Sequence, residues 1–123
     1  MQKVIVIALA GAAGTLVRYW LSGFVQQQTG SFPWGTFAVN MIGSFLFGIV
    51  WTLAEERMVI SADTRLIILT GFMGAFTTFS TFMFDTSNLM RQAQWLLAFG
   101  NLALQLIVGL ASMFLGFAVG RLF

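Results

Sequence analysis

Thr70-Gly71-Phe72-Met73-Gly74-Ala75-Phe76-Thr77-Thr78-Phe79-Ser80-Thr81-Phe82 sits inside a run that carries no charge from Leu66 to Phe84. An uncharged, largely apolar run of that length predicts a helix crossing a bilayer. Its content argues against an ordinary one. Hydroxyls packed this densely must face something polar, or bond back to their own helix. Gly71 and Gly74 make the backbone easy to bend. Unwound backbone at membrane depth is tolerated where it lines a cavity or is covered by protein, and its freed carbonyls can hold a cation. The stretch therefore predicts a membrane helix with a glycine-containing interruption that serves an ion.

The rest of the chain supports a membrane setting. Of 123 residues, 59% are hydrophobic and 8% charged, against about 25% charged in soluble domains. With no His and no Cys, imidazole catalysis, thiol chemistry, disulfides and Cys/His metal clusters are excluded. The net charge of +2 comes from six basic and four acidic residues, too scattered for a nucleic-acid surface. No nucleophile–base pair can be built, so the chain does not read as an enzyme. Four segments meet the length of about 20 apolar residues that a span requires: 4–24, 35–54, 66–88 and 94–120. Together they make one four-helix domain over residues 1–123. Lys3 followed by Val4–Ala13 has the look of a signal peptide, but the apolar run continues beyond Ala13, so it reads as a retained first span. Trp20, Trp34, Trp51 and Trp95 lie near span ends, where indole favours the interface.

Loop charge sets orientation. Lys3, Arg57, Arg65 and Arg121 share the side of the termini; Arg91, and Arg18 if it reaches that far, lie opposite. Four against two leans towards cytoplasmic termini. So slight a bias is also what insertion in both orientations needs. Small residues at helical spacing (Ala10 and Gly14, Ser44 and Gly48, Ser112, Gly116 and Gly120) predict close helix crossings. Helices filled with Phe and Leu leave little room for a central aqueous pore, so a conducting path would run between subunits.

Several polar residues stand out within the spans. Arg18 is either an anchor whose stem reaches the interface or a fixed positive charge at the mouth of an anion path. Asn40 either bonds between helices or donates its amide to a desolvated anion, with Ser44 one turn along the same face. In the third span Thr78, Thr81, Asp85 and Asn88 fall on one polar stripe, while Phe72, Phe76, Phe79 and Phe82 form an aromatic one. Asn101, Gln105 and Ser112 share a face of the fourth span, as pathway lining or as helix ties.

Three ordered motifs carry a resemblance over the whole chain. Gly11-Ala12-Ala13-Gly14 with Arg18-Tyr19 is the first, Gly35-Thr36-Phe37-Ala38-Val39-Asn40-Met41-Ile42-Gly43-Ser44-Phe45 the second, and Thr70–Phe82 the third. Together they resemble the small bacterial fluoride channels, the Fluc or CrcB family. The resemblance implies an all-α inner-membrane protein assembled as an antiparallel, dual-topology homodimer. Two interfacial pores would pass fluoride passively out of the cell and confer fluoride resistance. Phe79 and Phe82 would line the path, with Asn40 as the pore asparagine and Arg18 near the vestibule. Ser80, Thr81 and Asp85 would belong to a hydroxyl-rich track, although many relatives have Glu where this chain has Asp85. The backbone carbonyls of Gly74 and Thr77, from both subunits, would hold a structural sodium ion. Asn101 is a weaker candidate for the path.

The residue chemistry is compatible with that role. Phenyl ring edges are positive and can attract an anion without trapping it. Two rivals remain from other classes. A small multidrug exporter needs a carboxylate in its first span, and this chain has Arg18 there and no acid before Glu55. A non-transporting assembly subunit would explain the glycines and leave the third-span stripes without a role.

Overall fold

The computed structural model describes residues Met1–Phe123, and all of its regular structure is helical. Helix α1 covers Gln2–Gln27, and α2 covers Trp34–Trp51 and continues through a π-helical turn, Thr52–Glu56. The third span is composite. It starts as α3 (Ala62–Leu66), widens into a π-helical segment (Ile67–Met73), tightens into α4 (Gly74–Phe76), and resumes as α5 (Phe79–Arg91). Helix α6 covers Trp95–Gly120. Four stretches are long and apolar enough to cross a membrane: Gln2–Gln27, Trp34–Glu56, Ala62–Arg91 and Trp95–Gly120.

Local chemistry sets the boundaries. Ser61 caps α3 by accepting the Thr64 N–H at 3.2 Å, and Thr78 caps α5 by accepting the Thr81 N–H at 3.3 Å. Pro33 has no N–H and precedes the first turn of α2. Met58 and Ala93 turn the chain with φ of 55° and 56°, a region that costs non-glycine residues energy.

Glycine seams hold the helices together. A Cβ on Gly14 would overlap the Phe72 carbonyl, and one on Gly71 would lie 2.9 Å from the Ala10 Cβ. Through these positions α1 packs closely on the first half of the third span. Across the bundle, a Cβ on Gly116 would strike the Phe45 carbonyl, and one on Gly120 would lie 2.8 Å from the Thr52 Cβ. Here α2 and α6 cross at backbone contact. The small residues named from sequence do form the seams, except that Ser44 lines a cavity instead.

The apolar core is small: Val39, Leu69, Met73 and Phe76. Only 22 of 123 residues are buried, which leaves the outer faces of α1 and α6 to meet lipid or another protein. One end of the bundle is tied by charge. Lys3 pairs with Asp63 at 2.6 Å, Arg65 pairs with Glu55, and Arg121 holds both oxygens of Glu56 at 2.8 and 3.0 Å. The Arg65 guanidinium also lies 5.7 Å from the centre of the Trp51 ring. These pairs join the ends of all four spans.

Candidate functional site

The polar chemistry of the bundle gathers where the third span changes course. Thr77 (φ −83°, ψ 156°) and Thr78 (φ −147°, ψ 119°) have extended backbone between α4 and α5. The two glycines expected to make the bend are helical: Gly71 lies in the π segment and Gly74 opens α4. Gly71 serves the α1 seam. The residue that makes room at the break is Gly43 of α2, where a Cβ would overlap the Thr77 methyl group and approach the Phe76 ring.

Extended backbone inside a span strands polar groups, and Asn40 of α2 meets them. Its Oδ1 accepts the Thr78 N–H at 2.8 Å, and its Nδ2 donates to the Thr78 carbonyl at 3.0 Å. Nδ2 also donates to Gln105 Oε1 of α6 at 3.2 Å. Both amide hydrogens of Asn40 are thus engaged between helices, and the residue also lines a cavity. In an unbroken helix the Thr78 N–H would bond the Gly74 carbonyl, and the Thr81 N–H the Thr77 carbonyl. Here the first goes to Asn40 and the second to Thr78 Oγ1. The Gly74 and Thr77 carbonyls are released from those donors, and Gly74 is exposed.

The aromatic stripe divides at the same point. Phe72 and Phe76 stack at 5.7 Å on the first half, with Phe76 in the core. Phe79 and Phe82 belong to α5 and meet edge to face at 5.9 Å. Phe82 is 5% exposed and Phe79 72%. Both face a cavity of about 320 Å³ whose other walls include Asn40, Ser44, Thr78 and Gln105. Gln105 is buried, and its Nε2 has no partner. Sequence reasoning placed Gln105 on a polar face of the fourth span and left open whether that face lines a path or ties helices. Its signal was an amide in an apolar helix, and its neighbours show only in three dimensions.

A second groove, of about 280 Å³, meets the first at Thr78 and is lined by Arg18, Thr15, Ser22, Thr36 and Thr81. Arg18 is half-buried and takes part in none of the ion pairs. A third hollow of about 300 Å³ shares Ser22 and Thr36 with that groove and includes Asp85, but no hydrophobic residue. Thr36 donates to Asp85 Oδ2 at 2.7 Å. Ser80 and Thr81 are exposed, with Thr81 Oγ1 accepting from Thr78 Oγ1 at 3.0 Å. The fourth-span face ties helices together, and its Gln105 also lines the cavity. Asn101, fully buried, donates to Thr86 Oγ1 at 2.9 Å, Gln105 accepts from Asn40, and Ser112 meets the Met41 sulfur at 3.9 Å.

The structure thus brings Asn40, Thr77, Phe79, Phe82, Thr81 and Arg18 into two adjoining hollows, with Gly74 and Ser80 exposed on either side of the break. Comparison with known proteins gives the chain as a whole a lineage. Residues 5–117 match the family model described as CrcB-like protein, Camphor Resistance (CrcB). The chain is 57% identical over 122 residues to a protein of Nitrosococcus oceani, covering 98% of both chains. It is 54% identical over 123 residues to one of Solidesulfovibrio magneticus, covering 99% of this chain and 98% of that one. It is 51% identical over 123 residues to one of Nitratidesulfovibrio vulgaris, covering 99% of each. All three relatives carry the name fluoride-specific ion channel FluC. An all-helical chain with four apolar spans, matched nearly end to end by these proteins, belongs to the CrcB family.

Proposed function

We propose that this protein is a fluoride-selective channel that lets the ion leave the cell passively across the cytoplasmic membrane. The observation that carries the reading is the meeting of Phe79, Phe82, Asn40 and the unpartnered Gln105 Nε2 around one cavity at the break. Fluoride is small and strongly hydrated, so a path must offer donors in place of water. The Gln105 N–H is free to donate, whereas Asn40 holds the break in shape. Phe79 and Phe82 line the same cavity, and phenyl ring edges carry positive potential that attracts an anion. Attraction of that kind is weak enough for release. Arg18 in the adjoining groove raises local anion concentration without lining the cavity of Phe79 and Phe82. Ser80 and Thr81 continue the donor track.

In this reading two copies assemble antiparallel, forming two pores at their interface. Support comes from what one copy leaves uncovered. Phe79, Ser80, Thr81, Gly74 and Thr70 are exposed along the third span, where lipid offers no partner to the Ser80 hydroxyl or the freed Gly74 carbonyl. A second copy covering this face would bury them. The Gly74 and Thr77 carbonyls, deprived of helical donors, suit a hard monovalent cation, which takes oxygen ligands. Sodium shared between two such pairs would supply fixed positive charge at the centre of the dimer. The residues of this chain that would hold it are Gly74 and Thr77.

The test is electrical. Purified protein in a bilayer, under a fluoride gradient with no other ion gradient, is expected to pass a fluoride current that reverses at the fluoride equilibrium potential. No current, or equal current with chloride, would remove the proposal.

A further inference from the structure

Gln26 lies in a run of three glutamines that the sequence suggests is a plain polar loop. In the structure its side chain spans that loop. Nε2 donates to the Gly30 carbonyl at 2.9 Å and the Phe32 carbonyl at 3.0 Å, and Oε1 accepts the Gly35 N–H at 3.0 Å. Gly35 is in the first turn of α2, whose preceding Pro33 supplies no side-chain cap. A glutamine from α1 therefore meets an N–H that the start of α2 would otherwise leave unpaired. A second contact makes the placement tight: a Cβ on Gly35 would overlap the Ser22 carbonyl.

The next residue is Thr36, which donates to Asp85 of α5. Gln26, Gly35, Thr36 and Asp85 all border the same polar hollow. That hollow shares Ser22 and Thr36 with the groove holding Arg18 and Thr81. We infer that Gln26 is a positioning residue for conduction: its amide fixes the start of α2 so that Thr36 holds Asp85 at the edge of the ion groove. This rests on the channel function proposed above. Gln26 touches no ion and acts through Thr36.

A double-mutant cycle tests it. Fluoride flux from proteoliposomes is measured for the wild type, Gln26→Ala, Thr36→Val and the double variant, each checked for an unchanged elution profile. Each single change is expected to lower flux about tenfold, with the double no slower than the slower single, because both remove one chain of contacts. A merely structural glutamine would give losses that multiply. Multiplying losses, or wild-type flux in Gln26→Ala, would overturn the inference while leaving the channel function in place. A wild type that carries no fluoride would overturn both. Should Gln26→Ala fail to fold, Gln26→Glu keeps the acceptor for the Gly35 N–H, loses both donors, and replaces it in the cycle with the same expected coupling.

Discussion

The two halves of the third span are held by opposite means. The first half, through Gly71 and Phe72, meets α1 by absence: at Gly14 and Gly71 nothing but hydrogen fits. The second begins where Asn40 makes three hydrogen bonds to Thr78 and Gln105. A seam of glycines transmits shape and carries no polar function. A seam of amides tolerates extended backbone in a membrane and leaves donors beside a cavity. If that contrast is right, damage to the first should cost folding, and damage to the second should cost conduction.

The largest effect is expected at the glycine seam. Gly14→Val places a branched side chain against the Phe72 carbonyl and should destabilise the bundle by about 3 kcal/mol, measured by equilibrium unfolding in mixed micelles. A loss under a third of that would mean that the seam yields. Next comes Asn40→Asp. It keeps the acceptor for the Thr78 N–H, loses both donors and puts an anion beside an anion path, so flux should fall about 100-fold, equivalent to about 2.7 kcal/mol. Wild-type flux there would reduce Asn40 to a bystander.

The paired phenylalanines sharpen the comparison. Phe79→Ile and Phe82→Ile should each reduce fluoride flux about tenfold. Only Phe82→Ile should also lower stability, since Phe82 is 5% exposed and Phe79 72%. Unchanged flux in both would remove the aromatic path. The smallest effect lies outside both seams. Ala93 turns with φ 56°, so Ala93→Gly should raise stability by about 1 kcal/mol with flux unaltered.

Much of the site was legible in the sequence in outline. Hydroxyls within an apolar run marked the third span, and Asn40 and Arg18 stood out because lipid makes such residues costly. The exact place of the break was not legible. Glycine's flexibility drew attention to Gly71 and Gly74, yet flexibility only permits a bend. The break falls at Thr77–Thr78, where Asn40 can bond the freed N–H and carbonyl and where Gly43 leaves room. For the same reason one aromatic stripe in sequence became two in space. Gln26 was passed over, and the role of Gln105 was left open, because an amide's importance depends on what it reaches.

What the chain alone determined is its solvent and its segments. Hydrophobic run length decides that four helices cross a membrane, and spacing of small residues decides where they approach, because both follow from local geometry. What the tertiary structure decided is which polar groups find partners. Asn40 meets Thr78 across 38 positions and Gln105 across 65. No local periodicity encodes such pairings; they arise when packed helices leave a backbone group that a neighbour must satisfy.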